Sequence, residues 1–247
     1  MKKTFEGKVA MITGASVGIG RATAIEMAEN GASLILLDVN AETLDNLKKE
    51  LAVYTDKVSV FVCDISDEAK VREVVNAALS EYKKIDILVN NAAIWRQSVL
   101  FEDMDMADLR RFFDINVLGT AYVTHAVLPT MIENGYGRII NVASVAGVYG
   151  NAKMTAYSAT KGAIISFTKA LAKEVTGKGI LVNAVSPGSV SPSDISDIDH
   201  TQPSELSFMG RTGSDRENAE LICFLASDKA SYISGQNIQI DGCRKKM

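Results

Sequence analysis

Val9-Ala10-Met11-Ile12-Thr13-Gly14-Ala15-Ser16-Val17-Gly18-Ile19-Gly20 is the stretch that decides the fold. Its apolar start, Val9–Ile12, reads as a buried strand and runs directly into three glycines, after which a helical pattern covers about 19–30. Glycines at such a turn let the backbone bend tightly and approach a pyrophosphate. The helix N-terminus brings free N–H groups and the positive end of a dipole to the same point. A glycine trio is a weak signal by itself; its place between a first strand and a first helix is what gives it meaning.

Outward from this turn the same alternation continues. Leu34–Leu37, Val58–Val62, Ile87–Val89, Ile139–Val142, Leu181–Val185 and Ile238–Ile240 read as further strands. Helical patterns lie between them at about 41–53, 67–83, 106–134, 156–176 and 215–227. Strands alternating with helices imply right-handed crossovers and a parallel sheet covered on both faces, an α/β fold. No linker or repeat interrupts residues 1–247, so one domain is expected.

Composition narrows the function. A formal charge of −4 leaves no overall footprint for nucleic acid or an anionic membrane. Three scattered cysteines offer neither a disulfide framework nor a metal-ligand pattern, and they fit a reducing compartment. The first residues lack the apolar core of a signal peptide, and no run of about 18 apolar residues suggests a membrane span. The cytoplasm is the expected location. Three of the four prolines fall between Val185 and Arg211 among Ser, Thr and Asp, so 188–210 reads as a substrate loop after a strand end.

Strand two ends in Leu36-Leu37-Asp38, where a carboxylate can meet the hydroxyls of an adenosine ribose. A 2′-phosphate would be repelled there, and Val17, Val39 and Asn40 supply no compensating cation, so NAD is expected rather than NADP. Asn40 is better placed than Asp38 to cap the next helix.

The spacing Gly14-x3-Gly18-x-Gly20 resembles the T-G-x3-G-x-G motif of the short-chain dehydrogenase/reductase family. So do Asn90-Asn91-Ala92-Ala93, Asn116 in a D-x-N-x-x-G context, Ser144, Tyr157-x3-Lys161, Pro187-Gly188 and Asp241-Gly242, all in family order. The resemblance implies a Rossmann-type doubly wound sheet of seven mostly parallel strands with helices on both faces, assembled as a homotetramer or homodimer. It implies that Gly14, Ser16, Gly18, Ile19 and Gly20 line the pyrophosphate turn, and that Asp64 and Ile65 flank the adenine. Asn91 and Ala92 would approach the ribose, with Pro187, Gly188, Val190 and Ser191 at the nicotinamide. Ala93 replaces a usual glycine, Ser191 a frequent threonine, and Leu181 a frequent arginine.

Tyr157 and Lys161, four apart on a helix, share one face. A free phenol titrates near pH ~10, so a neighbouring ammonium and the positive nicotinamide ring are expected to lower it. Tyr157 then exchanges a proton with the alcohol as hydride moves, while Ser144 holds the substrate oxygen. Asn116 resembles the family residue that anchors a water beside the lysine. Alone, a Tyr-x3-Lys pair is an ordinary surface helix; Ser144, Asn116 and the glycine turn make it catalytic. His125 reads as packing or interface and Cys223 as core, while Trp95 and Arg96 follow strand four near the expected cleft.

The substrate wall is expected at 94–99, 145–149, Met154 and the loop 189–209. Tyr149, Met154 and Phe208 suggest an apolar pocket, and Asp194, Asp197 and Asp199 suggest an acidic lid unfavourable to anions. Glu133-Asn134-Gly135-Tyr136 stands where carrier-using ketoacyl reductases often have basic residues. A hydroxysteroid, polyol or similar secondary alcohol or ketone therefore ranks above the alternative, 3-oxoacyl-(acyl-carrier-protein) reduction. A non-catalytic NAD-binding regulatory protein is the reading from a different class.

Overall fold

The computed structural model describes residues 3–96, 98–190 and 196–245. Its seven strands are β1 (Val9–Thr13), β2 (Ser33–Asp38), β3 (Val58–Val62), β4 (Ile87–Asn90), β5 (Gly137–Val142), β6 (Ile180–Pro187) and β7 (Asn237–Ile240). They form one sheet in the order β3-β2-β1-β4-β5-β6-β7, with every pairing parallel. The central strands β1, β4, β5 and β6 are wholly buried, as unbroken apolar runs require when both faces are covered.

The two-residue period of the strands builds two cores. Ala10, Ile12, Leu34 and Leu36 face α1 (Gly18–Glu29), α2 (Ala41–Leu51) and α8 (Asp215–Ala226). Met11, Ile35, Leu37 and Leu88 face α3 (Glu68–Tyr82), α5 (Thr120–Asn134) and α7 (Thr155–Val175). Asn40 caps α2, accepting from the Thr43 N–H at 3.1 Å, as expected.

The chain leaves β1 toward β2 and β3, then returns to lay β4 on the other side of β1. Their C-terminal ends therefore diverge into a crevice, the place where open α/β sheets bind ligands.

The expected helix 106–134 is one continuous rod with a change of pitch. After α4 (Met106–Phe113), residues Asp114–Gly119 form a π-helical turn before α5. By length and composition Met106–Asn134 could cross a bilayer. Instead, Val123, Val127 and Met131 are fully buried against the sheet. A four-residue helix, α6 (Ala146–Tyr149), between β5 and α7 was not anticipated.

Candidate active site

The glycine turn is a cradle shaped by what a side chain would strike. A Cβ on Gly20 would lie 2.1 Å from the Gly14 carbonyl oxygen and 2.6 Å from Asn91 Nδ2. Gly14, at φ +59°, faces the Ala92 Cα, 2.7 Å from where a Cβ would be. Asn91 locks this arrangement by donating through Nδ2 to the Gly14 and Thr13 carbonyls at 2.7 and 3.1 Å. The N–H groups of Asn91 and Ala92 donate to Thr13 Oγ1 at 3.0 and 3.1 Å. Thr13, quoted in the motif but given no role, is the pin between the ends of β1 and β4. No side chain caps α1, whose first N–H groups remain for an anion. These observations fit a dinucleotide pyrophosphate.

Asp38 stands at the end of β2 and accepts from Ser16 N and Oγ at 3.1 and 2.7 Å. The acid and the glycine turn are thus one unit, and Ser16, itself buried, serves to hold the carboxylate. Asp64 is exposed after β3 and accepts from Ser66. Ile65 departs from expectation: its side chain is 4% exposed and closes on Gly119 of the π turn, leaving backbone as its means of meeting an adenine.

The residues expected to be catalytic come together from three parts of the chain. Ser144 follows β5, Tyr157 and Lys161 lie on α7, and Asn116 lies in the π turn. Ser144 lies close enough to the Tyr157 phenol for its hydroxyl to favour the phenolate. Ser144 Oγ also accepts from the Ala146 N–H at 3.1 Å, which fixes its direction. Lys161 is 4% exposed, and its Nζ donates to the Val142 carbonyl at 2.7 Å and lies 5.8 Å from the Tyr157 ring centre. Asn116 is buried and clamps Ile94, accepting from its N–H and donating to its carbonyl, both at 2.9 Å. It also donates to Thr160 Oγ1 at 3.1 Å. Its side-chain amide is therefore spent on positioning the strand-four loop, and Thr160 is a partner that spacing did not reveal.

Burial pushes the Tyr157 phenol up, opposed by the Ser144 hydroxyl. Burial also brings Lys161 down, to about 8, and its Nζ donates to the Val142 carbonyl. Between about pH 8 and 10.5 the unfolded chain carries a proton there that the folded chain does not. Stability therefore rises with pH through that window, and the full penalty holds below it. Lys161→Met is expected to unfold about 2 kcal/mol later at pH 7 while losing turnover, with the gain vanishing near pH 10.5. Denaturant titrations at both pH values check this.

At the end of β6, Pro187 is buried and its carbonyl accepts from the Val145 N–H at 3.1 Å, coupling the strand end to the Ser144 segment. Gly188 lies against Asp241, and Val190 forms a bridge with Gly213. Ser191 and Asp194 lie outside the described residues. Farther on, the loop is built rather than loose. Ser204 and Gly210 close a turn, and Thr212 N–H donates to the Gln202 carbonyl at 2.9 Å. Residues 242–245 pair antiparallel with its tip: Phe208 N–H donates to the Cys243 carbonyl at 3.0 Å, Met209 N–H to that of Gly242 at 3.2 Å, and Lys245 N–H to that of Leu206 at 2.9 Å. The expected acidity of the lid is reduced, because Asp199 pairs with Arg216 at 2.7 Å. Cys223 is core, whereas His125 is exposed on α5, and Leu181 is buried in β6.

A profile described as short chain dehydrogenase matches residues 8–202. The chain belongs to the short-chain dehydrogenase family. As a member of it, the protein is an oxidoreductase acting on CH–OH groups with a nicotinamide cofactor. It is 42% identical to the 3-oxoacyl-[acyl-carrier-protein] reductase FabG of Thermotoga maritima, over 96% of this chain and 97% of that one. It is 34% identical to a 2-dehydro-3-deoxy-L-rhamnonate dehydrogenase (NAD(+)) of a Sphingomonas species, over 97% and 96%. Among solved structures, NAD+-bound xylitol dehydrogenase matches with a TM-score of 0.90 at 33% identity, covering 97% of this chain and all of that one. The likeness to these proteins thus extends well beyond the 8–202 of the profile.

Proposed function

We propose that this protein is an NAD(H)-dependent oxidoreductase that interconverts a secondary alcohol and a ketone, with Tyr157 as its acid and base. The observation that carries the reading is the meeting of Ser144 and Tyr157 in front of buried Lys161, with the glycine cradle on the same edge of the sheet. Gly14, Gly18, Ile19 and Gly20 would take the pyrophosphate, with Ser16 holding Asp38 to the adenosine ribose. Asp64 and the Ile65 backbone would border the adenine, Asn91 and Ala92 the second ribose, and Pro187, Gly188, Val190 and Ser191 the nicotinamide. Bound there, the nicotinamide ring accepts or returns a hydride.

The chain's own groups handle the proton. Ser144 donates to the substrate oxygen and holds it against the phenol. In oxidation Tyr157 takes the hydroxyl proton; in reduction it returns one to the forming alkoxide. Burial favours the neutral phenol, which suits donation, and a positive nicotinamide ring favours phenolate, which suits abstraction. Lys161 supports the Val142 carbonyl behind the site, and Asn116 holds Ile94, which forms part of the wall. Assembly as a homotetramer or homodimer in the cytoplasm belongs to the same reading.

An apolar substrate body suits this wall, in keeping with a hydroxysteroid or similar alcohol. A 3-oxoacyl thioester is the second reading, favoured by the 42% identity to an acyl-carrier-protein reductase. Initial rates of NADH formation and oxidation across steroid, polyol and 3-oxoacyl panels test both. NAD is expected to be preferred over NADP at least about tenfold. Asp38→Asn, which keeps an acceptor for Ser16 but removes the charge, should narrow that ratio. Preference for NADP in the unmodified protein would refute the role of Asp38.

A further inference from the structure

Beside the catalytic groups lies a cavity of about 530 Å³, between the loop after β4 and the exposed side of α4. Ile94, Trp95 and Val99 wall one side, and Asp108, Arg111 and Phe112 the other. The last three are spaced i, i+3 and i+4, so they form one helical face. Phe112 packs in a small apolar cluster that also includes Ile94, Val99 and Tyr157. The back wall of the cavity is therefore continuous with the packing around the acid/base.

The rim carries charge. Arg96 and Arg111 both line the cavity, and Arg96 sits 5.5 Å from the centre of the Trp95 ring. Neither guanidinium forms an ion pair among the described residues. Asp108 is the lone carboxylate on the lining, so the rim holds an excess of one positive charge. Two forked donors over an aromatic and aliphatic floor match an apolar chain ending in an oxyanion. The volume falls within the range of small-molecule sites.

We propose that this cavity is the distal part of the substrate site, and that Arg96 and Arg111 bind a carboxylate or phosphate on a substrate with an apolar body. The inference rests on the reading of Tyr157 as acid/base, and it narrows the substrate from neutral alcohols and polyols to anionic ones. Among the described acids of the lid, Asp199 is paired with Arg216, and neither Asp197 nor Asp199 lines this cavity.

Trp95 is the chain's one tryptophan, so its fluorescence reports on this cavity directly. The full-length protein is titrated with decanoate, decyl phosphate and decanol, without cofactor or turnover. A saturable change is expected, with at least one anion binding about tenfold or more tighter than decanol. Arg111→Gln and Arg96→Gln should each bring that anion close to decanol, and the better of the two anions identifies the favoured group. Equal affinity for all three ligands, no saturable response, or variants that bind the anion unchanged would each overturn the proposal. Tyr157→Phe should titrate like the parent protein, so a failed acid/base assignment and a failed anion site give different results.

Discussion

Tyr157→Phe is expected to lower turnover by about a thousandfold or more while leaving NADH affinity within about threefold of the parent. The substitution removes one oxygen, the atom that meets Ser144, and leaves the ring packed beside Met104, Phe112 and Ala156. At neutral pH the phenol is un-ionised in folded and unfolded chain alike, so the variant's stability should stay within about 1 kcal/mol of the parent. Steady-state rates with the best substrate of the panel, paired with NADH fluorescence titration, read the two effects separately. Turnover that survives would move the acid/base role elsewhere; loss of NADH binding would make the residue a cofactor support instead.

Gly20→Ala is expected to cost about 3 kcal/mol of stability and at least a hundredfold in NADH affinity. The added methyl would sit 2.1 Å from the Gly14 oxygen, and neither neighbour has room to retreat. Gly14 is held by Asn91 Nδ2, and Asn91 is tied through its own N–H to Thr13. Relief would require β1 and β4 to separate where the cofactor is to lie. Gly177→Ala is the control, because nothing lies within 4 Å of its Cβ direction. Thermal melts and NADH titrations of both variants measure the difference. A Gly20→Ala protein that melts and binds like the control would mean that the turn is far softer than its contacts indicate.

Much of this was legible from residue order. The apolar runs placed all seven strands, since parallel strands covered on both faces are dominated by apolar residues even where Asn141 or Asn183 interrupts them. The glycines, Asp38, Ser144, Tyr157 and Lys161 announced themselves by type and spacing. The pitch change at Asp114–Gly119 did not, because one inserted residue per turn hardly disturbs an apolar helical pattern, yet it directs Asn116 onto Ile94. The partner of Lys161 is a backbone carbonyl nineteen positions away, which no side-chain pattern encodes. The depth at which Tyr157 and Lys161 are buried was not legible either, because a shared helix face says nothing about what packs over it. Arg111 went unnoticed because a charged residue on an exposed helix reads as solvated until the opposing loop is in place.

The pairing of 242–245 with the tip of the loop fixes what can move. Swinging 204–210 outward alone would break three backbone hydrogen bonds, each worth about 1 kcal/mol. Swinging both segments together breaks none of them. The two points from which they spring are adjacent, since Gly188 lies against Asp241, and both Gly242 and Cys243 already have positive φ. The tip of the loop and the chain end after β7 are thus bound as one unit, and whatever stiffens residues 241–243 stiffens the tip of the loop with them.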